Sequence, residues 1–135
     1  MLNFGCVKPQ DIDAIWPMIR RYVDDACQSS NGRYEASHIK DFARSGVLQM
    51  WVAADGAKAH SVGATELVTY PTGVKALVWK FAVGESREEW LRFMDIVKAW
   101  AKAEGCALVE GGFRRGWRRI LVGFTHTHDF LETKL

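Results

Sequence analysis

Residues 75–110 decide the fold: KALVWKFAVG at 75–84, ESREEWLRFMDIVKAWAKAEG at 85–105 and CALVE at 106–110. The first segment, residues 75–83, is rich in strand formers and stops at Gly84. A helix then starts at Ser86 and reaches about residue 104, where Gly105 ends it. Its core face is Trp90, Met94, Val97, Ala101 and Glu104, spaced by three and four, with Leu91, Phe93 and Trp100 flanking. The third segment carries a brief apolar run, Ala107-Leu108-Val109, immediately after the helix stop and reads as a short buried strand. Strand, helix and buried strand in that order make a parallel crossover, so 75–110 is one βαβ unit.

Upstream of it, residues 47–54 form a strand closed by the Asp55-Gly56 turn, and residues 61–70 a second one. Pro71-Thr72-Gly73 turns that strand into the one at 75–83, giving an antiparallel meander. Earlier still, Pro9 with Asp11 and Asp13 starts a helix running to about residue 30. Ile12, Ile15, Trp16, Ile19, Tyr22, Val23 and Ala26 make its stripe, and Pro17 is placed to kink it. A loop at Ser29-Ser30-Asn31-Gly32 leads to a second helix over 34–45, closed by Gly46. Downstream, Gly111-Gly112 opens a loop, 117–122 allows about two turns of helix, and 124–135 reads as a final strand. The expected architecture is one α+β domain, 1–135, with a mixed, mostly antiparallel sheet and helices on both faces.

Composition agrees with a single folded unit. The chain has 135 residues, 48% hydrophobic and 25% charged, which excludes disordered and fibrous classes. Eighteen basic against 16 acidic residues leave a net charge of +2, too little for the molecule as a whole to seek a polyanion. The N-terminal residues are interrupted by Lys8, Pro9 and Asp11 before any signal-peptide core can form, and no apolar run is long enough for a membrane span. Cys6, Cys27 and Cys106 are scattered, without metal or disulfide spacing. A cytoplasmic protein with reduced thiols is expected, with no membrane partner, and a homodimer is left open.

Several phrases go further than patterning. They are Leu48-Gln49-Met50-Trp51-Val52, the helix sequence EWLRFMDIVKAWAKAEGC, Arg114-Arg115-Gly116-Trp117, Gly123-Phe124 and Leu131-Glu132. Together with the order of elements they resemble the GNAT acyltransferase superfamily, and within it small uncharacterised GNAT-like proteins of bacteriophages and prophages. The resemblance implies an N-acyltransferase with acetyl-CoA as donor and a small-molecule or protein amine as acceptor. It implies that the backbone of Phe81, Ala82, Val83 and Gly84 holds the pantetheine arm and that Arg87 meets phosphate. Glu110, at the C-terminal end of the strand after the crossover helix, is the best-placed base, because sites of open sheets collect there; Glu66, within the meander, is the weaker one.

Two features depart from that family's pattern. The loop 83–89 has one glycine, and Glu85, Glu88 and Glu89 would oppose a pyrophosphate, while Ser86 and Glu89 match a capping box that would satisfy the helix amides internally. The family's acid on the helix after the βαβ unit is commonly a tyrosine, and residues 111–135 contain none; Tyr22, Tyr34 and Tyr70 lie in earlier elements. These departures support an alternative: a non-catalytic GNAT-like fold that binds a host or virion protein, with Arg114, Arg115, Trp117 and Arg118 as its surface. The same basic run with its indole would suit a small nucleic-acid-binding module, against which stand the low net charge and the lack of a recognition motif. In either setting Trp117 is the ring expected to line a pocket. His126 and His128 share one face of a strand, a chelating spacing, but no third ligand is evident and no metal is assigned.

Overall fold

The computed structural model describes residues 2–85, 87–113, 117, 119 and 121–135, with Arg87 described in its backbone alone. Among the described residues five strands make one sheet in sequence order: β1 (Asn3–Val7), β2 (Leu48–Asp55), β3 (Lys58–Thr69), β4 (Lys75–Gly84) and β5 (Leu108–Gly111). The first four run antiparallel, and β5 lies parallel to β4 across the crossover helix α3 (Trp90–Ala103). The βαβ unit and the α+β class are as the sequence indicates. Helices α1 (Ile12–Gln28) and α2 (Ala36–Arg44) precede β2, α1 lying against β3 and β4 and α2 against β2.

Alternation along the strands feeds two cores. Met50, Val52, Val62 and Ala64 face α1 and α2, where they meet Ile12, Trp16, Ile19, Val23 and Ile39. Trp51, Ala53, Leu77 and Trp79 face the other way, onto Trp90, Phe93, Met94 and Val97 of α3. The abundance of large rings is resolved in this second core. Trp90 stands edge-on to Phe4, Trp79, Phe93 and Trp117, with ring centroids 5.6–5.9 Å apart. A polar thread enters it where Trp51 Nε1 donates to Thr65 Oγ1 at 3.0 Å, while the threonine donates to Gln49 Oε1 at 3.0 Å. Thr65→Val keeps the shape but strands a buried indole N–H, so urea unfolding should show a loss of about 1–3 kcal/mol.

Locally the structure departs from the sequence pattern. β1 carries no recognisable strand pattern of its own; it forms because Asn3 through Val7 pair with Ala54 through Met50. The expected strand at 124–135 is not formed: those residues make no ladder, and Phe130 and Leu131 stand 77% and 88% exposed. Their alternation offers no continuous apolar face to bury, since polar His126, His128 and Glu132 fall in the same register as Phe124 and Phe130. The segment is tied instead by its side chains: Glu132 accepts from Arg33 and from Asn31, each at 2.6 Å, and these donors hold its carboxyl below the usual range. Of the two turns expected at 117–122, residues 118 and 120 lie outside the described residues, and Leu121 N–H donates to Trp117 O at 2.9 Å.

Candidate functional site

The site is built where β4 and β5 part. Pairing starts with Ala107 N–H donating to Lys75 O at 2.8 Å and runs from Ala76↔Leu108 to Trp79↔Gly111, where it ends. Gly111 lies so close there that a Cβ would sit 2.8 Å from Trp79 Cβ. β4 continues to Gly84, bonded to β3 alone among the described residues. At that point β4 also carries a bulge: Thr65 faces Trp79 and Ala64 faces Phe81, so Lys80 is the additional residue. Alternate peptide groups of residues 80–84 therefore turn their N–H and C=O away from β3, into a gap with no described strand on its far side. Phe81 and Val83 rest on the α1 core and Ala82 on the α3 core, which fixes this backbone from both faces.

Gly84 closes the strand under tight constraint. Its φ is +135°, and a Cβ would lie 2.3 Å from His60 O and 2.5 Å from Ser61 Cα. That approach lets Glu85 N–H donate to His60 O at 2.8 Å and swings the chain towards α3 through a 3-10 turn at Arg87–Glu89. Two of the loop's acids have basic neighbours: Glu85 lies 3.9 Å from Arg21 and 3.7 Å from His60, and Glu89 lies 3.1 Å from Arg92. Glu89, the residue before α3, gives the helix no side-chain cap. Ser86, the other half of the expected capping box, and the Arg87 side chain lie outside the described residues.

Glu66, Val78 and Glu110 form one row across β3, β4 and β5, on the sheet face that α1 and α2 also occupy. Glu66 is held by Lys80 at 2.9 Å. Glu110, one residue before the strands part, accepts a hydrogen bond from the Tyr70 hydroxyl, and this bond to a carboxylate pushes the phenol above its ordinary value. Sequence reasoning set Tyr70 aside as belonging to an earlier element. The missing signal was the register between β3 and β5, which is set through β4 between them.

The remaining expectations separate. Trp117 is half-buried, 5.6 Å from Trp90 and 6.1 Å from Phe113 between ring centroids, so its ring packs against the α3 core. Arg114, Arg115 and Arg118, the rest of the expected partner surface, lie outside the described residues. His126 pairs with Asp129 at 3.0 Å and His128 with Thr127 at 2.8 Å, and no group of three metal-ligating side chains occurs among the described residues. The three cysteines are free thiols. No described helix is long and apolar enough to cross a membrane.

No family model matches the chain, and no curated protein matches it in sequence. Solved structures do match it throughout. A predicted acetyltransferase with acetyl-CoA from Clostridium acetobutylicum aligns over 99% of this chain and 96% of its own, with a TM-score of 0.71 at 15% identity. A ribosomal-protein-alanine N-acetyltransferase from Brucella melitensis biovar Abortus aligns over 100% and 98%, at 0.69 and 10%. An aminoglycoside acetyltransferase from an uncultured soil metagenomic sample aligns over 99% and 96%, at 0.73 and 9%. The chain has the GNAT fold.

Proposed function

We propose that this chain is an N-acetyltransferase that moves an acetyl group from acetyl-CoA to an amine, on a small molecule or a protein. The observation that carries the reading is the parting of β4 from β5 after Trp79↔Gly111, with a carboxylate one residue before it. The residues fit the donor's arm: the backbone of Phe81, Ala82, Val83 and Gly84, paired to β3 on one side and to no described strand on the other, suits the amide-bearing pantetheine, and the start of α3 beyond it is the place for phosphate. Bound acetyl-CoA supplies the acetyl group through its thioester. Strand-edge peptides orient that arm, and Glu110 takes a proton from the incoming ammonium so that its nitrogen lone pair is available. Of the two protons the ammonium gives up, one ends on the CoA sulfur and the other in solvent.

The support in the comparisons is that the matched structures include an acetyltransferase with acetyl-CoA and others named for alanine and aminoglycoside acceptors. The test is calorimetry with acetyl-CoA, followed by thiol release in the presence of a panel of primary amines. Saturable heat and amine-dependent thiol release are expected. No heat at millimolar acetyl-CoA would overturn the reading.

A further inference from the structure

We propose that Tyr70 is a positioning residue for Glu110, holding one carboxylate oxygen so that the other is presented to the amine; this rests on the reading of Glu110 given above. Tyr70 follows β3 in a fixed turn: its N–H donates to Val74 O at 2.8 Å, and its carbonyl accepts from Gly73 N–H at 2.8 Å. From that anchor the side chain must cross the next row of the sheet, Val68, Ala76 and Leu108, to reach Glu110. The middle residue of that row is alanine, fully buried, and it is small enough to let a ring lie across it. The hydroxyl then meets Glu110 Oε1, leaving Oε2 unbonded by any described residue.

The charges on this face explain why such a tether matters. From β3 and β4 come Glu66 and Lys80, joined at 2.9 Å; from β5 comes Glu110 in the same row as Glu66. Lys80 stands at the bulge between the two acids, and its long flexible side chain could serve either. A neutral phenol bonded to Glu110 occupies the carboxylate without cancelling its charge, so Glu110 stays a base while Lys80 remains with Glu66. Only the neutral phenol donates, so the contact holds at neutral pH and is lost as pH rises through the phenol's raised titration.

The experiment pairs kinetics with titration. Tyr70→Phe removes one oxygen from a half-exposed ring and should fold normally. With acetyl-CoA and an amine accepted by the wild type, it should lower kcat about tenfold while each KM stays within about twofold, because orientation is lost and binding is not. The phenolate absorbance that Tyr70→Phe deletes should rise at higher pH in the wild type than in Glu110→Gln, a readout independent of turnover. An unchanged kcat in Tyr70→Phe, with Glu110→Gln inactive, would overturn the role of Tyr70 and leave Glu110 as the base. A Tyr70 titration unmoved by Glu110→Gln would remove the contact itself. If the wild type binds acetyl-CoA and transfers nothing to any amine, the function and the positioning role both fall.

Discussion

Gly84→Ala should cost about 4 kcal/mol of folding free energy and abolish detectable acetyl-CoA binding. Two independent penalties meet at this residue. The backbone φ of +135° is one that side chains rarely adopt, worth about 1–3 kcal/mol. The added methyl would also lie 2.3 Å from His60 O and 2.5 Å from Ser61 Cα. Both atoms belong to the β3 backbone and cannot step aside as a flexible side-chain tip would, so overpacking adds about 1–3 kcal/mol more. Against a total stability of about 5–15 kcal/mol, a loss of this size threatens the fold at ordinary temperature. Gly56→Ala separates the two penalties. Gly56 has a φ of +59°, and nothing lies within 4 Å of the position its added methyl would take, so it should lose only about 1 kcal/mol. Urea unfolding of both variants, with calorimetry on whatever Gly84→Ala remains folded, makes the comparison. Equal losses would mean that the Gly84–Ser61 approach does not shape the strand end.

The βαβ unit was legible because each of its parts announces itself locally: a β-rich run ended by Gly84, a helical stripe ended by Gly105, a short apolar run after it. β1 was not, because Asn3–Val7 acquires strand geometry only from the β2 edge beside it. The opposite error arose at 124–135, where threonines and Phe130 have the propensity of a strand but no partner edge engages them among the described residues. At the site, the positions of Glu66 and Glu110 could be read from the strand pattern, but their different surroundings could not. Lys80 reaches Glu66 through a bulge that no glycine or proline marks in the sequence. Tyr70 reaches Glu110 across 40 residues of chain, by a register that the crossover settles only on folding. The neighbours of Glu85 were hidden for the same reason: Arg21 and His60 come from α1 and β3.

Glu110→Gln should lower kcat/KM for acetyl transfer by about 10³-fold while leaving acetyl-CoA affinity within about twofold. The glutamine keeps the shape and an oxygen that Tyr70 can still reach, so neither the row Glu66, Val78, Glu110 nor the parting of the strands should change. What it removes is the carboxylate of this row that no described cation holds: Glu66 is the other one, and Lys80 already holds it at 2.9 Å. Glu66→Gln is therefore the matched control. It frees Lys80, alters the local charge by the same amount and leaves the base in place, so a loss of no more than about tenfold is expected from the field alone. Stopped-time thiol release gives kcat/KM for both variants, and calorimetry gives their acetyl-CoA affinities. A Glu66→Gln variant as inactive as Glu110→Gln would mean that the row acts through its summed charge. If Glu66→Gln alone were inactive, the base would lie on β3, and the tether from Tyr70 to Glu110 would be a structural clasp with no part in the chemistry.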